Sequence, residues 1–194
     1  MCINSQLDFQ NLKKPSTFQV FGKCTSSFHG KAKYCPSGKV KCYQKLKTEY
    51  KFYLSLENSI CLDYVTEKLF NILNGGRPNG LSSFGSRTNI IPVTLNGAKM
   101  PEIAPPHSHI NYDSKSDSPH DFAKHLEDIA GNDTLYASYF WWRDYYEVRN
   151  SQADRAQSFC NLCSRLNDPN KQTKIYNDMY NWWVKDASCK KYNI

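Results

Sequence analysis

The sequence predicts an α/β fold, in which short strands alternate with helices in an open sheet. Residues 50–56 alternate apolar with more polar side chains, a period of two that is typical of a strand with one buried face. Residues 63–72 then show apolar side chains at helical spacing, and the apolar run at 90–95 predicts a second, buried strand. A strand, a helix and another strand are therefore expected in succession.

A polar loop separates the first strand from the helix. Phe52, Leu54 and Leu56 form the apolar side of the strand, and the alternation stops at Glu57. Asp63 is the predicted N-cap of the helix, because its carboxylate can accept hydrogen bonds from unpaired backbone N–H groups of the first turn.

The helix has two different sides. Val65, Leu69 and Ile72, spaced by four and three residues, are expected to pack on the sheet. The other side carries an aromatic ring, a carboxylate and an ammonium group: Tyr64, Glu67 and Lys68. A helix N-terminus at the carboxyl end of a strand is where open α/β sheets bind anions and nucleotides, so this side predicts nucleotide recognition. An ordinary solvated helix face explains the same spacing.

Composition indicates a globular chain with an uneven charge. The 194 residues are 40% hydrophobic and carry a net charge of +7. Residues 1–60 hold ten lysines against three acidic residues, and the rest of the chain is balanced. Such an excess suits a phosphate-bearing ligand, an anionic polymer or a membrane surface, but no dense basic run predicts nucleic acid binding.

Eight cysteines indicate an oxidising, secretory compartment. The sequon at Asn132 agrees with a lumenal location. Cys160 and Cys163 form a C-x-x-C motif, but a zinc site would need a second pair and a redox motif should follow a strand. No signal peptide and no apolar run of about 20 residues is present, so any membrane anchor is expected outside this chain. The disulfide candidates are Cys24, Cys35, Cys42, Cys61, Cys160, Cys163 and Cys189.

Three further segments have readable patterns. Residues 74–89 hold four of the nine glycines and are expected to form an inserted, solvated loop. A helix is predicted from Pro119 to about residue 129. A second helical stretch, rich in aromatic residues, is predicted from Leu135 to about Val148.

Several strings resemble a known family. FYLSLENS at residues 52–59 and DYVTEKL at 63–69 are similar to the signature of the α1,3-fucosyltransferases, glycosyltransferase family 10. Three shorter strings resemble other motifs of that family: GKC at 22–24, PPHSHI at 105–110 and YFWWR at 139–143. The resemblance covers roughly residues 18–190.

The resemblance implies an enzyme of the GT-B type with two Rossmann-like domains, and this chain is expected to be most of the C-terminal, donor-binding half. It implies an inverting, metal-independent transfer of L-fucose from GDP-fucose to N-acetylglucosamine of a glycoprotein or glycolipid glycan, in α1,3 linkage and without a cofactor. The lack of an Asp-x-Asp pair, which could hold a metal diphosphate, agrees with that implication. A lysine and helix N–H groups could instead stabilise the charge on departing GDP.

The resemblance also implies residue roles. Lys68 would bind the diphosphate, Glu67 would accept hydrogen bonds from the ribose hydroxyls, and Tyr64 would lie against the guanine. Glu57 and Asn58 would line the sugar-phosphate side, although a turn held by its own side chains explains these two residues as well. The C-x-x-C pair would make structural disulfides. Four histidines are expected to be structural: His107, His109, His120 and His125.

Two elements of the family pattern are not found in the sequence. These are the catalytic carboxylate of the acceptor domain and a second cation for the diphosphate. We therefore expect a truncated enzyme that binds nucleotide but does not turn over alone. Its expected parts are a poorly ordered lead-in at 1–17, a GDP-fucose-binding domain at 18–150 and a Cys-rich segment at 151–194.

The expected location is the Golgi lumen, with the full-length type II form held in the cisterna membrane. Two other function classes stay open at this point. One is a catalytically inactive, disulfide-stabilised lumenal module that binds nucleotide sugars. The other is a basic protein that binds polyanions, which only the lysine-rich first third favours.

Overall fold

The computed structural model describes residues 49–74, 89–95, 97, 99–113, 118–148 and 152–190. Everything predicted for residues 1–48, including Cys24, Cys35 and Cys42, lies outside these ranges. The same holds for all but the two ends of the predicted insertion at 74–89.

A parallel sheet organises the described residues. Its strands are β1 (Phe52–Leu54), β2 (Ile91–Thr94) and β3 (Ile110–Asn111). β2 lies between the other two, with Phe52 beside Ile91 and Val93 beside Ile110. The predicted α/β fold is confirmed. Because the strands run in one direction, their carboxyl ends meet at the same edge of the sheet.

Helices cover both faces of this sheet. α1 joins β1 to β2 and packs on β2. The helices are α1 (Glu67–Leu73), α2 (Pro119–Gly131), α3 (Asp133–Ser138) and α4 (Gln152–Leu166). Short 3₁₀-helices at Met100–Glu102 and Trp141–Asp144 and a π-helix at Asn181–Asp186 complete the regular structure of the described ranges. In the part of the chain that the structure describes, no helix is long and apolar enough to cross a membrane.

Two hydrophobic clusters form on opposite faces. The larger one joins alternate residues of the strands to α2 and the segment after α3, and includes Leu56, Ile91, Val93, Leu95, Ile110, Tyr112, Phe122, Ile129 and Tyr139. The smaller one lies around α1 and includes Leu69, Leu73, Met100, Ala104 and Trp142. A strand that is covered on both faces has apolar residues at consecutive positions, which explains the apolar run at residues 90–95.

The one-sided burial predicted for the first strand is wrong. Ser55 and Glu57 are each only 1% exposed, as buried as Leu56 at 4%. The reason is that α1 packs over the face that the alternation had assigned to solvent, and the Ser55 hydroxyl donates to the Lys68 carbonyl at 3.2 Å.

The start of α1 also differs from the prediction. Asp63 has a φ of 58° within a turn, and the N-cap residue is Thr66. In contrast, α2 begins as predicted, with Pro119 in its first turn and the Ser118 side chain accepting from the Asp121 N–H at 3.1 Å. Both helix starts were predicted from local patterns, and only the start of α2 agrees with the structure.

The long aromatic helix predicted from Leu135 to Val148 is wrong. α3 ends at Ser138, and a turn leads into the 3₁₀-helix. In a continuous α-helix, Tyr139 and Trp142 would share one face. They are instead buried in the two different clusters, so the chain has to turn between them.

Tyr136 connects the amino ends of β1 and β2 through its hydroxyl group. Its hydroxyl lies within hydrogen-bonding distance of the carbonyl oxygens of Lys51, at 3.0 Å, and Asn89. The Lys51 ammonium lies 4.9 Å from the centre of the Tyr136 ring and donates to the Ala130 carbonyl at the end of α2. Burial raises the pKa of Tyr136 to about 12, although the Arg143 charge opposes the shift.

We expect the fold to lose stability as pH rises from 10 to 12, because the unfolded chain releases the Tyr136 proton near pH 10 and the folded chain holds it to about pH 12. Tyr136→Phe should cost about 1 kcal/mol near neutral pH through the lost hydrogen bond. In Tyr136→Phe, the free energy of unfolding should also fall less steeply between pH 10 and 12. Urea unfolding of both proteins from pH 8 to 12 measures this, and parallel stability curves would contradict it.

A disulfide joins the loop after β1 to the end of the described chain. Cys61 and Cys189 are bonded across 128 residues, beside an antiparallel bridge between Ile60 and Lys190. Both were predicted disulfide cysteines, and their bond is present.

The disulfides predicted for Cys160 and Cys163 are absent from the described residues, where both thiols are free. Both lie on α4, and every side chain from residue 156 to 180 is exposed. No described cysteine therefore lies against them.

Cys189→Ser should lower the free energy of unfolding by about 2–5 kcal/mol, because the unfolded chain regains the entropy of a 128-residue loop. Cys163→Ser is the matched control. It removes an exposed free thiol and should change stability by less than about 0.5 kcal/mol. Urea unfolding under oxidising conditions compares them, and equal shifts would contradict a structural role for the disulfide.

Candidate functional site

The candidate site is the loop between β1 and α1, at the carboxyl edge of the sheet. Ligands of open α/β sheets bind outside this edge. All five residues predicted to bind a nucleotide sugar lie in this loop or at the start of the helix that follows: Glu57, Asn58 and Tyr64 in the loop, and Glu67 and Lys68 at the start of α1.

Glu57 lies inside this loop with its carboxylate fully engaged. Oε1 accepts from the Thr66 backbone N–H at 2.7 Å, and Oε2 accepts from the Lys68 ammonium at 2.9 Å. The Thr66 hydroxyl lies 2.9 and 2.8 Å from the two carboxylate oxygens. Three donors thus compensate a carboxylate that is 1% exposed, as a buried charge requires.

The Lys68 ammonium is bound to the protein and is also partly accessible to solvent. Its ammonium donates to Glu57 and also to the Thr66 hydroxyl at 2.9 Å. The side chain is 27% exposed. An ammonium has three N–H groups, so one is left without a partner among the described residues.

Asn58 and Tyr64 form a second pair on the outer side of the loop. The Tyr64 hydroxyl donates to Asn58 Oδ1 at 2.8 Å. Tyr64 is half-buried, and Glu67 lies exposed at the first position of α1. The structure therefore brings Glu57 together with Lys68 and Asn58 together with Tyr64, and keeps Glu67 at the surface. The ligand contacts assigned to these residues stay predictions.

Sequence reasoning missed Thr66, which connects the two charges. A threonine directly before a helix is a capping signal, so Thr66 could have been noticed. It would then have been assigned the wrong partner, because its side chain makes no cap bond and turns to Glu57 instead.

Long-range contacts hold the loop in place. The Cys61–Cys189 disulfide and the backbone hydrogen bonds between Ile60 and Lys190 join it to the end of the described chain. Gly97, after β2, also approaches the loop closely, and an added Cβ there would lie 2.9 Å from the Cys61 carbonyl oxygen. A side chain at Gly97 would therefore displace the loop that carries Glu57.

An open depression of about 490 Å³ lies farther along the same edge of the sheet. Its lining includes Asn111, at the end of β3, and the exposed pair Lys99 and Glu102. Neither Glu57 nor Lys68 lines it, so the hydrogen-bond geometry, rather than this depression, defines the candidate site.

The histidines do not approach the Glu57–Lys68 pair in sequence or in the contacts described. His107 and His109 precede β3, with the His107 ring stacked on Tyr139 at 3.9 Å. Burial, followed by the charge of His107, lowers the pKa of His109. His120 and His125 are exposed on α2. Among the described residues, no three His, Cys, Asp or Glu side chains come together as metal ligands.

Comparison with known proteins decides the family. Residues 4–182 match glycosyltransferase family 10 (fucosyltransferase), C-terminal part. The chain belongs to this family. The stretch at 52–69 that resembles the family 10 signature forms β1, the loop after it and the start of α1.

Curated relatives agree with this assignment. The chain is 39% identical to alpha-(1,3)-fucosyltransferase C of Drosophila melanogaster over 80% of its length. It is 31% identical to glycoprotein 3-alpha-L-fucosyltransferase A of the same species over 96%, and 32% identical to alpha-(1,3)-fucosyltransferase fut-1 of Caenorhabditis elegans over 79%. These matches cover 32%, 33% and 33% of the relatives, so this family 10 chain spans about a third of their length.

Lys68→Ala should destabilise the fold by about 3 kcal/mol, because it removes the only full charge that compensates buried Glu57 in the described structure. Lys68→Gln should cost about 1 kcal/mol, since an amide can still donate to Glu57 and Thr66. Lys99→Ala, in a pair with both side chains about 70% exposed, is the control and should change little. Urea unfolding ranks the three variants, and equal effects of Lys68→Ala and Lys99→Ala would contradict this account.

Proposed function

We propose that this chain is the donor-binding part of an α1,3-fucosyltransferase, built as one Rossmann-like half of a GT-B type enzyme. The whole enzyme would transfer L-fucose from GDP-fucose to N-acetylglucosamine of a glycoprotein or glycolipid glycan. The names of the relatives support the sugar and the linkage. The three-stranded parallel sheet with helices on both faces supports the architecture.

The observation that carries the proposal is the geometry of Lys68. Its ammonium lies beside the carboxyl edge of a parallel sheet, is partly exposed and has one N–H that no described residue accepts. A diphosphate oxygen is an acceptor that forms a short, charge-assisted bond with such a group. The same lysine lies within the family 10 signature.

Lys68 also suits the chemistry of fucose transfer. Negative charge grows on the diphosphate as the bond to fucose breaks, and a fixed ammonium stabilises that charge more in the transition state than in the ground state. We propose that the reaction inverts the configuration at the transferred carbon and needs no metal, because Lys68 supplies the positive charge.

The other surface residues of the loop have compatible positions. Glu67 is exposed next to Lys68 and would accept hydrogen bonds from the ribose hydroxyls. Tyr64 is half-buried and would offer its ring to the guanine, while Asn58, which binds the Tyr64 hydroxyl, would line the sugar-phosphate side. Because these groups lie on one loop and at the start of the helix that follows it, they would contact adjacent parts of one nucleotide sugar.

We place this function in the Golgi lumen. The Cys61–Cys189 disulfide supports an oxidising compartment, since disulfides persist in secretory lumens and are rare in the cytosol. The catalytic base and the acceptor site are expected in the part of the relatives' length that this chain does not span.

Calorimetric titration of GDP into the folded chain tests the proposal. GDP should bind, and Lys68→Gln should bind it about ten- to a hundredfold more weakly, because a charge-assisted bond is lost while the fold is retained. Lys124→Gln is the matched control. It removes an exposed lysine from α2, at a distance from the loop in sequence, and should leave affinity unchanged.

Guanosine, which lacks phosphate, should bind equally to the wild type and to Lys68→Gln. Equal GDP affinity of these two proteins would overturn the assignment of the diphosphate to Lys68. If GDP binds but the chain joined to the rest of a full-length relative transfers no fucose, the alternative of an inactive nucleotide-sugar-binding module is favoured.

A further inference from the structure

Among the residues that the structure describes, Thr66 is the one whose side chain contacts both members of the Glu57–Lys68 ion pair. Its hydroxyl accepts from the Lys68 ammonium at 2.9 Å and donates toward the Glu57 carboxylate, whose oxygens lie at 2.9 and 2.8 Å. A hydroxyl has one proton and can accept as well as donate, so both contacts can exist at once. The backbone N–H of Thr66 adds a third bond, to Glu57 Oε1 at 2.7 Å.

We infer that Thr66 is a positioning residue, which sets the direction of the free N–H of Lys68 for the diphosphate of the donor. This inference rests on the proposed function. It assigns Glu57 and Thr66 a role through Lys68 rather than a direct contact with the ligand.

The geometry of an ammonium group explains why a second acceptor matters. With Glu57 alone, the ammonium would have one partner and could rotate about that bond. With Glu57 and Thr66 both accepting, two tetrahedral directions are occupied and the third is determined. A lysine side chain also loses much rotamer freedom on ordering, and in the folded protein that loss has already occurred before the ligand binds.

The N-cap position of Thr66 supports this role. A threonine in that position ordinarily uses its hydroxyl to accept from the first helical turn. Here the side chain makes no cap bond, although α1 follows directly. The Thr66 hydroxyl thus makes its hydrogen bonds with Glu57 and Lys68 instead of with the helix backbone.

Glu57 restrains Lys68 from the buried side of the loop. At 1% exposure it is shielded from solvent, and its ion pair with the Lys68 ammonium at 2.9 Å occupies one of the three N–H directions. The Lys68 side chain keeps a partly exposed surface through which its charge can reach a phosphate. The strength of the phosphate contact should therefore depend on the orientation of the free N–H as well as on the charge.

The test combines two measurements on the complete 194-residue chain. Nitrogen NMR of the lysine ammonium groups reports how ordered Lys68 Nζ is without ligand, and calorimetry reports GDP affinity. Thr66→Val keeps the side-chain shape and removes the hydroxyl. We expect it to lower the order of Lys68 Nζ and to weaken GDP binding about three- to tenfold, the equivalent of one hydrogen bond.

Thr66→Ser restores a hydroxyl and should return both readouts to near the wild-type values. Thr173→Val makes the same chemical change at an exposed threonine and should alter neither. If Thr66→Val does not fold, Thr66→Ala replaces it, with thermal melting as the check on folding for every variant.

A purely structural role predicts a lower melting temperature with unchanged Nζ order and GDP affinity, and that outcome would overturn the inference. Loss of Nζ order without any loss of GDP affinity would overturn it as well. If the wild type binds no GDP, the proposed function fails, while the Nζ measurement still decides whether Thr66 orders the ammonium.

Discussion

The buried carboxylate of Glu57 imposes the main constraint on the segment between β1 and α1. A charge that is 1% exposed has to be compensated, and all its donors come from two residues at the start of α1. The Thr66 side chain therefore makes no hydrogen bond to the first turn of α1, which begins at Glu67. The same requirement brings the Lys68 ammonium to the carboxyl edge of the sheet, where one of its N–H groups faces no described acceptor.

The two edges of the sheet are held by different kinds of contact. At the amino edge, Tyr136 binds the backbone that leads into β1 and β2, and Lys51 connects that edge to the end of α2. These contacts stabilise the strands. At the carboxyl edge the polar loop depends on distant partners, the Cys61–Cys189 disulfide and the backbone at Gly97.

Local patterns were sufficient for a large part of the fold. The period of two found β1, the apolar run found β2, and Pro119 marked the start of α2, because strand periodicity and the preference of proline for the first helical turn involve only near neighbours in sequence. The signature at 52–69 predicted candidate residues that lie between β1 and the start of α1, and their ligand contacts stay a prediction. Its assignment of Glu57 to the ligand side did not anticipate the burial of that carboxylate.

By itself the sequence determined the family, the succession of strand, helix and strand, and the loop on which the candidate residues lie, since each depends on residues close together in the chain. Only the tertiary structure decided which polar groups share a buried space. The pairing of Glu57 with Thr66 and Lys68 spans 9 to 11 residues, and the Cys61–Cys189 bond spans 128. The early end of α3 likewise depends on burying Tyr139 and Trp142 on opposite faces of the sheet. These outcomes follow from packing between distant segments, which leaves no period in the sequence.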